Sequence, residues 1–152
     1  MAIYDKLFEF CDDDTVFSTD TSVISENILD MDSLTSTYVA RGMGGGEPLW
    51  LNIRVGTTDF AGGTSAQFKW MAHTSTTISS GTVIYETPAI GVGTLVAGYD
   101  VFRCPLPVNF DAYRYVGLVV TCVGAVSAGT INAWIDNGSQ SSFNTQASVS
   151  NI

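Results

Sequence analysis

The sequence predicts an all-β fold, a jelly-roll-like sandwich of two sheets with about eight antiparallel strands. Three observations support this fold class. Hydrophobic and polar side chains alternate with period two in several runs, which is the pattern of strands with one buried face. Turn signals rich in Gly and Ser separate these runs, and no run has the period of an amphipathic helix. Eight short strands without helices are typical of a jelly roll.

The clearest strand is "LWLNIRV" at residues 49–55. Its leucines, Ile53 and the following valine point to one face, while Trp50, Asn52 and Arg54 point to the other. This run therefore predicts a strand that packs one face against the core and turns the second face outward.

Seven further runs complete the predicted strands. The run at 65–73 places Phe68 and Trp70 on a buried face between two alanines. The run at 113–123 is apolar on both faces over its second half, which predicts a central strand covered above and below. The other candidates are residues 3–10, 22–29, 82–87, 99–104 and 131–136.

The strand at 99–104 runs directly into "PLP". Proline has no N–H and cannot donate to a strand ladder. Pro105 and Pro107 are therefore expected to end this strand at a corner of the sandwich. Stopping the hydrogen bonding there also protects an edge from unwanted pairing.

Length, charge and cysteine content restrict the class of protein. A chain of 152 residues is one domain by its length, and we expect a domain at 1–136 followed by a polar C-terminal arm at 137–152. The net charge of -9 repels phosphate backbones, so no nucleic-acid partner is expected. No stretch is long and apolar enough to span a membrane, and the first ten residues lack the apolar core of a signal peptide. Three cysteines without C-x-x-C spacing predict buried reduced thiols and assembly in a reducing cytoplasm.

The sequence offers no convincing set of reacting groups. The single histidine, His73, lies on the polar face of a strand, and there is no G-x-S-x-G elbow or zinc-ligand spacing. The consecutive aspartates of "CDDDT" (11–15) lack the alternate spacing of a calcium loop and are expected to form a solvated acidic turn. The glycines of 41–47 are read as a hinge, because a strand and not a helix follows them. We therefore expect no catalytic, cofactor or metal site.

Several segments, in order, resemble a known family. They are "IYDKLFEF" (3–10), "EPLWL" (47–51), "LVAGY" (95–99), "PLP" (105–107), "YRYVGL" (113–118) and "GTINAWI" (129–135). Their order and spacing are similar to those of the small capsid cement proteins of tailed double-stranded DNA phages, of the Bordetella-phage type. The resemblance implies a jelly roll without enzymatic activity. It also implies a place on the outside of an icosahedral shell in the virion, where the protein bridges neighbouring major capsid protein subunits.

Aromatic and arginine side chains on outward strand faces are the candidate contacts with such a partner. We expect Trp50, Arg54, Arg114 and Trp134 to bind it, because Trp and Arg dominate interface energetics. The alternative is that the tryptophans are buried within the sandwich. Self-association into a dimer or trimer is also expected.

Two other functions stay open at this point. A carbohydrate-binding module of a virion would have a groove lined with Trp or Tyr. A glycosidase would have two carboxyl groups facing each other within roughly 5–10 Å.

Overall fold

The structure is a computed structural model that describes residues 8–15, 22–30, 49–106 and 113–137. These ranges contain no α-helix. Single turns of 3-10 helix lie at Ile78–Ser80 and Val92–Thr94. The strands are β1 (Glu9–Asp14), β2 (Ser22–Ile24), β3 (Leu29–Asp30), β4 (Leu49–Val55), β5 (Ala61–Gly62), β6 (Ser65–His73), β7 (Thr82–Glu86), β8 (Ile90–Gly91), β9 (Asp100–Pro105), β10 (Tyr115–Val123), β11 (Val126–Ala128) and β12 (Ile131–Asn137).

Eight of these strands form two four-stranded paths, and all their pairings are antiparallel. We call the path β1-β12-β4-β9 sheet 1 and the path β2-β10-β6-β7 sheet 2. When these eight strands alone are renumbered from 1 to 8 along the chain, sheet 1 has the order 1-8-3-6 and sheet 2 has the order 2-7-4-5. The first strand thus pairs with the last, the second with the seventh, the third with the sixth and the fourth with the fifth. This is the order of a long hairpin wrapped into two Greek keys, so the predicted jelly roll is confirmed.

The remaining four strands are short additions. β3 pairs with β10 and β8 with β6, both at the margins of sheet 2, and β5 pairs with β11 in a small ribbon. Each has two or three residues, too few for alternation to show in the sequence, and the prediction omitted β5, β8 and β11. The predicted strand 22–29 is not continuous, because β2 ends at Ile24 and β3 begins at Leu29.

The core lies between the two sheets, where the alternating residues of both converge. From sheet 1, Leu51 and Ile53 of β4 are buried, and their partners on β12 are Ile135 and Ala133. Sheet 2 contributes the predicted apolar face of β6, with Phe68 and Trp70 each 1% exposed. Burial of this many large side chains is the main stabilising contribution to the fold.

β10 is covered on both faces from Val116 to Val120, whereas Val123, at the end of the half that was predicted to be covered, is 56% exposed. It lies between β2 and β6 and is buried from Val116 to Val120. On the face away from the core, Val119 and Met71 pack against Ile78 of the first 3-10 turn. This small second cluster explains why Val119 is apolar although it faces away from the core.

Pro105 is the last residue of β9, and β4 is the strand with which β9 pairs. β9 is therefore at an edge of sheet 1, where a strand tolerates proline. The predicted strand end at Pro105 is confirmed, with the strand shifted by one residue from the predicted 99–104 to Asp100–Pro105. Pro107, the hinge at 41–47 and residues 138–152 of the predicted arm lie outside the described residues, and Asn137, the first residue of that arm, is the last residue of β12.

The acidic segment after Cys11 is not a solvated turn, and this prediction was wrong. Residues 12–14 belong to β1 (Glu9–Asp14), which continues four residues beyond the predicted strand end at residue 10; residues 3–7 of the predicted strand lie outside the described ranges. Two register shifts interrupt the pairing of β1 with β12. At the second shift Asp13 has the left-handed φ of 53° and turns its carboxylate towards Thr57 and Thr130. Hydrogen bonds to Thr57, just after β4, and to Thr130, just before β12, hold this segment beside the sheet.

All three cysteines are buried and free, as predicted. Burial raises the pKa of Cys11 and of Cys104 to about 12 and also raises that of Cys122. A thiol with a raised pKa carries little thiolate at neutral pH, so these side chains act as small apolar core residues.

Candidate interaction face

Sheet 1 turns one face to the core and the other away from it. We call the second the outer face. It is defined by the residues that alternate with the core positions of β4, β9 and β12, namely Trp50, Asn52, Arg54, Arg103, Asn132, Trp134 and Asp136. Three of the four predicted contact residues, Trp50, Arg54 and Trp134, therefore share this face.

The centre of the outer face is a cross-strand row. Trp134 lies directly opposite Asn52, and Asn52 lies directly opposite Arg103 on the next strand. Asn52 is 1% exposed and Trp134 is 7% exposed, although both lie on the outward side of the sheet. Side chains directly opposite one another in a ladder are close enough to cover each other. Trp134 is therefore buried, but on the outward side of sheet 1 and not within the sandwich core, where the alternative had placed the tryptophans.

Trp50 is half-buried in the row next to this one, opposite Asp136 on β12 and Pro105 on β9. Part of this residue is exposed. An indole on a rigid strand offers a large apolar contact at small entropic cost, which is why tryptophan is common at interface centres.

Two arginines and one aspartate form a charged group at the β4–β9 side of the outer face. Arg103 pairs with Asp100, three residues earlier in β9. The Nε atom of Arg54 donates to the carbonyl oxygen of Gly98 at 2.9 Å and lies 3.9 Å from Asp100 Oδ1. Its side chain is 42% exposed. These contacts fix the position of the guanidinium groups while part of their surface stays accessible.

Arg114 lies elsewhere. It precedes β10 of sheet 2 and donates from Nε and Nη2 to the two carboxylate oxygens of Asp30, both at 2.9 Å. Its guanidinium also lies 5.0 Å from the ring centre of Tyr115. The structure therefore does not bring this residue together with the other three predicted contacts.

Sequence reasoning placed Asn52 on this face but did not foresee its burial, and it missed Arg103 as a member of the face. Arg103 lies between the inward-facing Phe102 and Cys104, so extending the alternation to "VFRC" would have found it. The burial of Asn52 depends on its neighbours on β9 and β12, which the sequence of β4 does not contain.

The described residues include histidine and carboxylate side chains, which are residue types that take part in catalysis or bind metals in other proteins. His73 accepts a hydrogen bond at Nδ1 from the backbone N–H of Ser75 at 2.8 Å, a local turn contact. Burial, and next the neighbouring Glu26, raise the pKa of Asp14 to about 6. Across 8–15, 22–30, 49–106 and 113–137, no three His, Cys, Asp or Glu side chains are placed to hold a metal ion. The same ranges contain no helix long and apolar enough to cross a membrane.

Comparison with protein families identifies the relatives of this chain. The model of the Bbp16 family, a Bordetella phage protein family, matches residues 13–135. The chain belongs to the Bbp16 family. A comparison with curated proteins finds no match. The matched segment begins at Asp13 in β1 and ends at Ile135 in β12, so it includes all the strands between them and the whole outer face except Asp136. Membership supports a bacteriophage origin for this Bbp16-family protein.

Proposed function

We propose that this Bbp16-family protein is a capsid cement protein. It binds the outer surface of an icosahedral phage shell and bridges neighbouring major capsid protein subunits. The observation that carries the proposal is the outer face of sheet 1, which gathers Trp50, Arg54 and Arg103 on one side of a rigid sandwich. Membership in a phage protein family and the resemblance to cement proteins support the same function.

The proposed mechanism depends on contact area and on no chemical reaction, cofactor or metal. A standard interface removes about 1,600 Å² of surface from water, with a few aromatic and arginine side chains contributing most of the energy. One copy contacts two subunits. When one of its contacts opens, the other keeps the protein close to the released subunit, so the open contact forms again at a high local concentration. Repeated over the shell, such bridges resist the outward pressure of packaged DNA.

The acidic surface fits a position outside the shell. With a net charge of -9, the protein is repelled by the DNA within the particle, and no nucleic-acid or membrane partner is proposed. The three buried thiols fit synthesis and assembly in the reducing cytoplasm of the bacterial host.

The first experiment is decoration of shells that lack the protein. We expect the wild-type protein to sediment with them and to raise their melting temperature, because binding to the assembled state stabilises it. Wild-type protein that leaves the shells undecorated would contradict the proposal, and binding to a glycan array in its place would favour the carbohydrate-binding function.

The second experiment tests the outer face. We expect Trp50→Ala to weaken binding to shells by about tenfold to a hundredfold, as expected for loss of an interface tryptophan. Arg114→Gln is the matched control, because Arg114 lies on sheet 2, and it should bind as the wild type does. Circular dichroism melting shows that both variants fold. Equal affinities for Trp50→Ala and wild type would remove the outer face from the interface.

A further inference from the structure

The described part of the chain has four Lys and Arg side chains, and their charges are matched differently on the two sheets. At sheet 2 each cation has a carboxylate of its own, in the pairs Lys69–Glu86 and Arg114–Asp30. On the outer face of sheet 1, Arg54 and Arg103 share the carboxylate of Asp100. The ion pairs at this corner of the face therefore leave one positive charge unmatched, in a protein with a net charge of -9.

Arg54 is held in place by one nitrogen and keeps the other two for a partner. Its Nε atom donates to the carbonyl oxygen of Gly98, and the side chain is 42% exposed. Gly98 has the positive φ of 79°, and a Cβ there would lie 3.1 Å from Nη2 of Arg54, so glycine lets the guanidinium lie against the backbone. Neither Nη1 nor Nη2 makes a hydrogen bond with a described residue. Both are therefore donors that a partner can use.

Two exposed apolar residues belong to the same turn, residues 96–99. The N–H of Tyr99 donates to the carbonyl oxygen of Val96 at 2.9 Å, and Gly98 and Tyr99 both form hydrogen bonds with the backbone of Val55 in β4. Val96 is 48% exposed and Tyr99 is 36% exposed. A turn that is already fixed to a strand loses little entropy on binding, and Tyr and Arg are typical of interface centres. The corner patch, as we call it, consists of Arg54, Val96, Tyr99 and Arg103.

We propose that the corner patch binds a carboxylate of the major capsid protein, an aspartate or glutamate side chain that pairs with Nη1 and Nη2 of Arg54. The inference rests on the proposed cement function and names the chemistry of the partner. A guanidinium presents parallel N–H donors that match the two oxygens of a carboxylate. Arg103 adds positive charge beside the pair, and contact of the partner with Val96 and Tyr99 excludes water from it.

The distribution of charge over sheet 1 favours one orientation of such a partner. Asp136 lies on β12, and Glu9 of β1 lies opposite Trp134, whereas both arginines lie at the β4–β9 side. An acidic group of the shell is attracted at the β4–β9 side and repelled at the β1–β12 side. The ion pair therefore fixes the orientation of the sandwich on the shell, while contact area supplies most of the affinity.

Binding to shells that lack the protein tests this contact through the ratio of two affinities. We expect Arg54→Gln to bind untreated shells about tenfold more weakly than the wild type, because one charged contact is lost. Carbodiimide with ethanolamine converts exposed carboxylates of the shells to neutral amides, and on such shells the ratio should fall to about twofold or less. Arg54→Lys keeps the charge without the planar fork and should still bind untreated shells about threefold more weakly.

Two controls separate this ion pair from other effects. Shells acetylated at their lysines should keep the ratio of untreated shells, and Arg114→Gln, whose side chain is similarly exposed, should bind every kind of shell as the wild type does. Melting temperatures show that the variants fold, and electron microscopy shows that the treated shells are intact. A wild type that binds no shells would overturn the cement function together with this inference. A wild type that binds, with either Arg54 variant equally tight or with a ratio that carbodiimide leaves unchanged, would overturn this inference alone.

Discussion

Asp13→Ala is expected to lower the free energy of unfolding by about 3 kcal/mol, because hydrogen bonds to a charged group each contribute about 1.5–3 kcal/mol and are only partly additive. The Asp13 carboxylate accepts from the backbone N–H of Thr57 at 2.7 Å, from the Thr57 hydroxyl and from the Thr130 hydroxyl at 2.6 Å. The backbone N–H of Asp13 also donates to the side chain of Asn132. One residue of β1 thereby joins the end of β4 to the start of β12.

Both Asp13 and Gly56, which faces its carboxylate, allow little substitution. A Cβ at Gly56 would lie 2.0 Å from Asp13 Oδ1, so glycine makes room for the carboxylate. Asp13 itself has a left-handed φ, which Asn tolerates better than Ala does. Asp13→Asn is therefore the matched control and should lose about half as much stability in urea titrations. An Asp13→Ala variant as stable as the wild type would contradict this role.

The pH dependence of the free energy of unfolding, compared between the wild type and Asp13→Asn, gives a second measurement. Hydrogen bonds from Thr130 and Thr57 hold the pKa of Asp13 below its ordinary value of 3.8. A lowered pKa stabilises the folded protein above pH 3.8, and this contribution is lost as pH falls through the folded pKa. The stability difference between wild type and Asp13→Asn should therefore shrink between about pH 5 and about pH 2. Asp14, whose raised pKa acts in the opposite direction, is common to both proteins and largely cancels.

Trp134→Ala is expected to lower the free energy of unfolding by about 3–5 kcal/mol, the usual loss for a buried aromatic side chain. Trp134 is 7% exposed although it lies on the outer face of sheet 1. Its replacement leaves a cavity beside the buried Asn52, whose Oδ1 accepts no hydrogen bond from the described residues. The same variant should bind shells poorly mainly because less of it is folded.

Trp50→Ala provides the comparison. Trp50 is half-buried on the same face, so its loss should cost no more than about 2 kcal/mol by urea titration. Equal losses for the two tryptophans would contradict the assignment of Trp134 to the fold and Trp50 to the contact surface.

The strands of the jelly roll were readable from the sequence because alternation with period two is a local signal. Residues 49–55 and 65–73 match β4 and β6. Strand order was less accessible, because β1 pairs with β12 from the other end of the chain. The continuation of β1 to Asp14 was not predicted, since Asp13 is held by Thr57 and Thr130, which are remote in sequence.

The candidate face was predictable in part for the same reason. Alternation in β4 indicates that Trp50 and Arg54 share a face, but not which other strands complete it. Arg114 shows the limit of the argument, since its residue type suggested a contact while its bonds to Asp30 place it at sheet 2. The contrast between Trp50 and Trp134 depends on cross-strand neighbours, which only the folded structure supplies.

Imaging of assembled particles at side-chain resolution tests the cement function most directly. We expect the jelly roll on the outside of the shell, with Trp50 and Arg54 of the outer face against two neighbouring major capsid protein subunits. Particles that carry the protein at a tail or fibre, or that turn sheet 2 towards the shell, would contradict the account.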